Sequence, residues 1–298
     1  MKTCVADLED FFDKNVERYL DGCYGGKQRY PSNAVRKSIM LHYVDKYFKS
    51  RKRKVRILDA GCGAGNLMVE LLDRGYKVEG MDVSASMLEH CRRALSARGY
   101  SPELVQKGDV FALSKLVRSQ YDLVLCAGLL GYLPRHDLVF AQIRKVLKPD
   151  GLVITDIINR LFDLFTFNKH TVDFLDRLFQ EQGLPTAVRR SVTRTLGRRL
   201  EIGKEYELKK SFKGEEIESS EVDVDYNSLN YARRFAQAGF RLRDVWYYHR
   251  HPIPTIFERS FPKLFQHSGP IPRGLPRNEW YDALLCNTSV VVLERDKR

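Results

Sequence analysis

Ile57-Leu58-Asp59-Ala60-Gly61-Cys62-Gly63-Ala64-Gly65-Asn66-Leu67 is the stretch from which the fold of this chain follows. An apolar run enters it, glycines at 61, 63 and 65 turn it, and a helical pattern leaves it. Glycines lack Cβ atoms, so a strand can turn tightly into a helix there and a ligand can lie against the backbone. Outward from this turn the alternation repeats. Strands are expected over 55–60, 77–83, 103–108, 121–127 and 152–157. Helices are expected over 66–74, from a Ser86–Glu89 capping box to Gly99, and over 137–147 before the turn Lys148-Pro149-Asp150-Gly151. Strands that alternate with helices imply a parallel sheet with right-handed crossovers, an open doubly wound α/β core.

The flanks read differently. Residues 1–50 carry two amphipathic helices, with Leu8, Phe11, Phe12 and Tyr19 on one and Val35, Ile39, Tyr43 and Tyr47 on the other. A turn-rich piece from Asp21 to Asn33 separates them. After Ile157 the rhythm breaks into phenylalanine-rich and arginine-rich pieces and a strand-like segment near 205–226. It returns with a helix over 231–238 and strands over 240–248 and 288–295, around a long loop with Pro252, Pro254, Pro262, Pro270, Pro272 and Pro276. The expected organisation is an N-terminal helical lid (1–50), a core (51–157 and 229–298) and a substrate-cap insertion (158–228).

Three polar groups converge on the crevice beside the glycine turn. Asp59 precedes the turn, Asp82 ends the second strand, where a carboxylate receives ribose hydroxyls, and Gly108-Asp109 ends the third. The ligand is therefore nucleoside-like. A dinucleotide fingerprint needs GxGxxG with a pyrophosphate on the helix N-terminus. Here Asn66 stands where the third glycine belongs, and Asp59 is poor company for a pyrophosphate but good company for an ammonium. S-adenosylmethionine, cationic and without phosphate, fits better than NAD.

With these residues the chain resembles the class I S-adenosylmethionine-dependent methyltransferases. The resemblance rests on residues 58–65 as the (D/E)xGxGxG motif, on Asp82, on Gly108-Asp109-Val110, on Tyr121-Asp122-Leu123-Val124 and on residues 143–151 (IRKVLKPDG). It implies a Rossmann-like seven-stranded sheet with a last antiparallel strand. It also implies that Asp59, Gly61 and Gly63 line the methionine end, that Asp82 takes the ribose hydroxyls, and that Cys62, Gly65, Val83 and Met87 belong to the same cofactor site. Asp109 and Val110 would flank adenine, and Ala127 and Tyr132 would close the site. Segments such as Asn159-Arg160-Leu161-Phe162-Asp163 look similar to small-molecule members of bacterial biosynthetic and surface-saccharide clusters.

Methyl transfer to oxygen needs near-attack geometry and a proton acceptor. His249 and His251 are the candidates, with Asp156 as an alternative. Residues 126–129 (CAGL) lack the (N/D)PP(Y/F) motif that the family uses on exocyclic amino groups, and Cys126 lacks a proline neighbour for pyrimidine C5 chemistry. The expected reaction is metal-free O-methylation. An RNA methyltransferase and a non-catalytic binding protein of the same fold are the alternatives. The net charge of +12 favours anionic partners. A small-molecule or carrier-linked, anionic substrate is preferred over nucleic acid, and a homodimer is among the states allowed.

Composition removes other classes. Charged residues make up 30% and hydrophobic ones 43%, as in folded globular proteins. The longest nearly apolar run, 121–133, falls short of the ~20 residues of a membrane span. The six cysteines form no CxxC pair, so no structural zinc site and a cytoplasmic setting with reduced thiols are expected.

Overall fold

The computed structural model describes residues 2–24, 32–117, 119–200, 226–258, 260–261 and 279–296. The expected turn at 25–31, most of the strand-like 205–226 segment and the proline loop from 262 to 278 lie outside the described residues.

Seven strands form one sheet: β1 (Arg56–Ala60), β2 (Lys77–Asp82), β3 (Val105–Lys107), β4 (Tyr121–Cys126), β5 (Leu147–Ile158), β6 (Phe240–Arg250) and β7 (Cys286–Arg295). Their order is β3-β2-β1-β4-β5-β7-β6, parallel except for β7, which runs antiparallel between β5 and β6. The order reverses between β1 and β4, so a crevice opens at their carboxyl ends. The sheet is mixed, with the single antiparallel strand that the resemblance implies.

Both faces of the sheet are covered, which is why its central strands read as continuous apolar runs. On one face α2 (Ser32–Phe48), α3 (Asn66–Asp73) and α4 (Ala85–Ala97) pack Ile39, Met68 and Cys91 over Ile57, Leu123 and Val290. On the other, α6 (His136–Val146) and α10 (Tyr231–Gln237) pack Phe140 and Phe235 over Val124, Val153 and Val291. The short α5 (Leu113–Leu116) joins that layer. After β5 come α7 (Asp163–Thr166), α8 (Lys169–Glu181) and α9 (Thr186–Arg199), and α11 (Asp282–Leu285) leads into β7. Among the described residues no helix is long and apolar enough to cross a membrane.

Several local expectations are corrected. Helix α1 (Lys2–Tyr24) runs through Asp21 and Gly22, where a turn was expected. Seating Tyr19 and Leu20 in the crevice outweighs the ~1 kcal/mol propensity cost of one helical glycine. The cap of α4 is Ser84, whose Oγ accepts from the Met87 amide at 3.1 Å, and not the Ser86–Glu89 box. Strand β5 begins at Leu147. The register of β4 and β5 shifts between Tyr121 and Leu123, so residues 148–151 sit within the strand as an irregularity. Lys148 Nζ anchors it by donating to both Asp122 oxygens at 2.9 Å.

Candidate functional site

The glycine turn sits at the crevice. Gly61 and Cys62 donate their amides to the Met81 carbonyl at 2.7 and 3.0 Å, which ties the turn to the end of β2. Gly63 has φ +52 and no atom within 4 Å of where a Cβ would stand, so its open side faces the cleft. Gly65 differs. It precedes α3 with φ +83, and a Cβ there would lie 2.5 Å from Cys91 Sγ. Its role is packing beneath the turn.

Asp59 is 1% exposed, and its Oδ1 accepts no hydrogen bond among the described residues. Burial, aided by the nearby Asp82 carboxylate and opposed by Arg36, pushes its carboxyl up to about 7. Asp82 accepts from Gly63 N at 2.8 Å and from Ser84 N at 2.9 Å. Burial still raises its carboxyl, against the lowering effect of those amides. Asp109 Oδ1 accepts from Phe111 N at 2.8 Å, capping a 3-10 turn (Val110–Ala112).

One cleft gathers eleven of the twelve residues expected at the cofactor site. These are Asp59, Gly61, Cys62, Gly63, Asp82, Val83, Met87, Asp109, Val110, Ala127 and Tyr132. Gly65 is the one that does not line it. The sequence reading gave residues 1–50 as a lid but named none of its residues at the site. From α1 come Leu8, Phe12 and Tyr19, with the Phe12 ring edge-on to Tyr132 at 5.5 Å. From α2 comes Arg36. Helical spacing flagged the apolar residues of α1 as buried, but not what they cover.

Arg36 Nη1 lies 3.2 Å from Asp156 Oδ2, and Asp156 Oδ1 accepts the Gly128 amide at 2.6 Å. A Cβ on Gly128 would come within 2.8 Å of the guanidinium, so the glycine makes room for it. Tyr248, on β6, is buried beside the same pair. Its phenol is raised well above its usual value by burial and by Asp156.

His249 and His251 are not among the residues that line this cleft. They belong to the end of β6, three strand spacings or about 14 Å from β4. Their rings are 4.9 Å apart, and His251 lies 4.8 Å from Phe162. Burial lowers both, and the nearby His249 helps take His251 to about 3, so both imidazoles are neutral near pH 7. His136 Nε2 donates to the Leu130 carbonyl at 2.7 Å and holds the turn that carries Tyr132.

Residues 57–151 match the family described as a methyltransferase domain. The chain is similar to class I S-adenosylmethionine-dependent methyltransferases, and the matched stretch is a methyltransferase domain. Among similar proteins is the putative methyltransferase YqeM of Bacillus subtilis, 31% identical over 45% of this chain and 51% of the relative. The ubiquinone biosynthesis O-methyltransferase of Azoarcus sp. is 28% identical over 54% of this chain and 66% of that protein. Magnesium protoporphyrin IX methyltransferase from Synechocystis PCC 6803, solved with bound SAH, shares the fold at 13% identity. Its TM-score is 0.56, over 98% of this chain and 99% of that one. The chain spans between half and two thirds of the length of the two curated relatives. The methyltransferase cleft fits S-adenosylmethionine on its own terms, since a buried carboxylate oxygen without a partner calls for a cation.

Proposed function

We propose that the chain transfers a methyl group from S-adenosylmethionine to a hydroxyl of a small or carrier-linked, anionic metabolite. The observation that carries the cofactor reading is the orphaned Asp59 oxygen under the glycine turn, which an ammonium would satisfy. Arg36 would take the methionine carboxylate and Asp82 the ribose hydroxyls, while Asp109 and Val110 would flank adenine. When bound, the cofactor supplies an electrophilic methyl on a sulfonium. The chain's own tasks are to hold the acceptor oxygen in line with that methyl, to exclude water and to take the acceptor's proton.

The reading of hydroxyl acceptors is supported by what the end of β4 presents. Cys126 is fully buried, and burial with the Asp59 and Asp156 carboxylates pushes its thiol far up, so it offers no thiolate for pyrimidine C5 chemistry. One relative is named for O-methylation in ubiquinone biosynthesis. Asp156 already engages Arg36 and Gly128 with its two oxygens, and His249 and His251 stand outside the cleft, so none of these three is assigned as the proton acceptor.

The test is transfer of labelled methyl from S-adenosylmethionine into fractionated cell extract, with Asp82→Ala as control and a parallel aliquot treated with RNase. Label in an RNase-resistant small-molecule or carrier-linked pool, absent with the variant, is expected. Label lost to RNase would overturn the reading.

A further inference from the structure

Helix α1, which lines the cleft, and the carboxylate of Asp82 are joined by a hydrogen-bond chain. Ser84 Oγ donates to Asp13 Oδ1 at 2.6 Å, and the Ser86 amide donates to the same oxygen at 2.9 Å. The amide of Ser84 donates to Asp82 Oδ1 at 2.9 Å, and Asp82 Oδ2 accepts from Gly63 N at 2.8 Å. Ser84 is fully buried, and its Oγ also caps α4 by accepting from Met87 N. One serine is thus fixed at three points: its hydroxyl proton to α1, its lone pair to α4 and its amide to the carboxylate in the cleft.

We propose that Asp13 is a positioning residue for cofactor capture, acting through Ser84 on Asp82, so that seating of α1 and orientation of the ribose carboxylate are one event. The proposal rests on reading the cleft as the S-adenosylmethionine site. Three observations carry it beyond a local cap. First, Asp13 does more than accept the first-turn Ser86 amide of α4, since it also takes the hydroxyl proton of Ser84, the residue whose amide donates to Asp82. Second, Asp13 comes from 71 residues away, on the helix whose Leu8 and Phe12 line the same cleft. Third, Glu9, Asp13 and Glu17 recur every four residues and meet Lys107, Ser84 with Ser86, and His90 in turn. The outer two contacts are exposed and hold little. The half-buried middle one is where α1 registers against the cleft. Burial acts to raise the Asp13 carboxyl, but the hydrogen bonds from Ser84 and Ser86 prevail, and it stays ionised. A charged acceptor makes the stronger bond to the serine hydroxyl.

The test is calorimetric binding of S-adenosylmethionine to the full chain and to Asp13→Asn, Ser84→Ala, Asp82→Asn and the double variants, with folding checked by circular dichroism. Asp13→Asn is expected to weaken binding about tenfold, as loss of one charge-assisted bond implies. Ser84→Ala is expected to do the same, and the pair together no more than either alone. In an Asp82→Asn background the Asp13→Asn effect is expected to shrink below about twofold, because the route to the ligand is already cut. An equal penalty in both backgrounds, or a lowered Tm with unchanged affinity, would reduce Asp13 to a structural contact. If Asp13→Asn does not fold, Asp13→Ser measured in the wild-type and Asp82→Asn backgrounds decides. A wild-type chain that does not bind S-adenosylmethionine would overturn the cleft assignment and this inference with it. Binding that is indifferent to Asp13 and Ser84 would overturn only the inference.

Discussion

Arg36 on α2 and Asp156 near the end of β5 meet at 3.2 Å with their side chains only 13% and 10% exposed. The pair joins an N-terminal helix to the sheet at the wall of the cleft, and Gly128 donates to the same carboxylate. Removing one member of a buried ion pair leaves the other uncompensated, at a cost of about 3 kcal/mol. Asp156→Ala is therefore expected to lower Tm by several degrees in thermal denaturation. Arg36→Met is expected to weaken S-adenosylmethionine binding more than tenfold by calorimetry, with a comparable loss of Tm, since it leaves the Asp156 carboxylate without its cation.

Asp59 gives a pH dependence whose sign is fixed by its buried site. In the cofactor-free chain its carboxyl is raised from 3.8 to about 7, so the folded state binds the proton more tightly than the unfolded state. Stability from this group therefore falls as pH rises from about 4 to about 7 and then levels off. Binding of an ammonium needs the carboxylate, so affinity should rise over the same range and flatten above it. Tm measured against pH, with Asp59→Asn as the control that loses this slope, checks the first part. Proton release on binding, measured by calorimetry in two buffers, checks the second.

Gly63 and Gly65 should separate binding from stability. Gly65→Ala places a Cβ 2.5 Å from Cys91 Sγ at a positive φ, and is expected to cost about 2–4 kcal/mol of stability from strain and overpacking together. Gly63→Ala meets no neighbour within 4 Å and should cost about 1–2 kcal/mol from its positive φ alone. Its methyl group enters the cleft, so it should lose cofactor affinity out of proportion to its stability. Chemical denaturation and binding on the same preparations distinguish the two.

Cys126→Ala should retain methyl transfer within about threefold. Its buried thiol is a packing group, and truncation should cost about 1 kcal/mol of stability. Loss of transfer by a folded Cys126→Ala chain would reinstate covalent catalysis.

The glycine turn and the carboxylates at successive strand ends were legible because each is local. A strand, a turn and a cap residue announce themselves within about ten positions. Arg36 and Asp13 were not legible, since their neighbours are 120 and 71 positions away and only docking of α1 and α2 brings them together. The sequence likewise places His249 and His251 near the end of a strand, but which strand lies beside which is a property of the whole sheet. Their position on β6, the outermost strand beside β7, follows from that order and not from the motif around them. The helix α1 was legible in type and not in length, since Tyr19 and Leu20 near its end are placed by the cleft they line.

The glycine turn rests on sulfur. A Cβ on Gly80 would come within 2.9 Å of both Cys62 Sγ and Met68 Sδ, and one on Gly65 would meet Cys91 Sγ. All three sulfur side chains are buried. The Cys62 thiol is pushed well above its usual range by its contact with Cys91 and by burial. Thiolate is scarce there while the turn is closed, so alkylation of Cys62 has to wait for a local opening. The rate at which a maleimide or iodoacetamide labels Cys62 thereby becomes a built-in clock for breathing of the turn, and a ligand that seals the cleft should slow it.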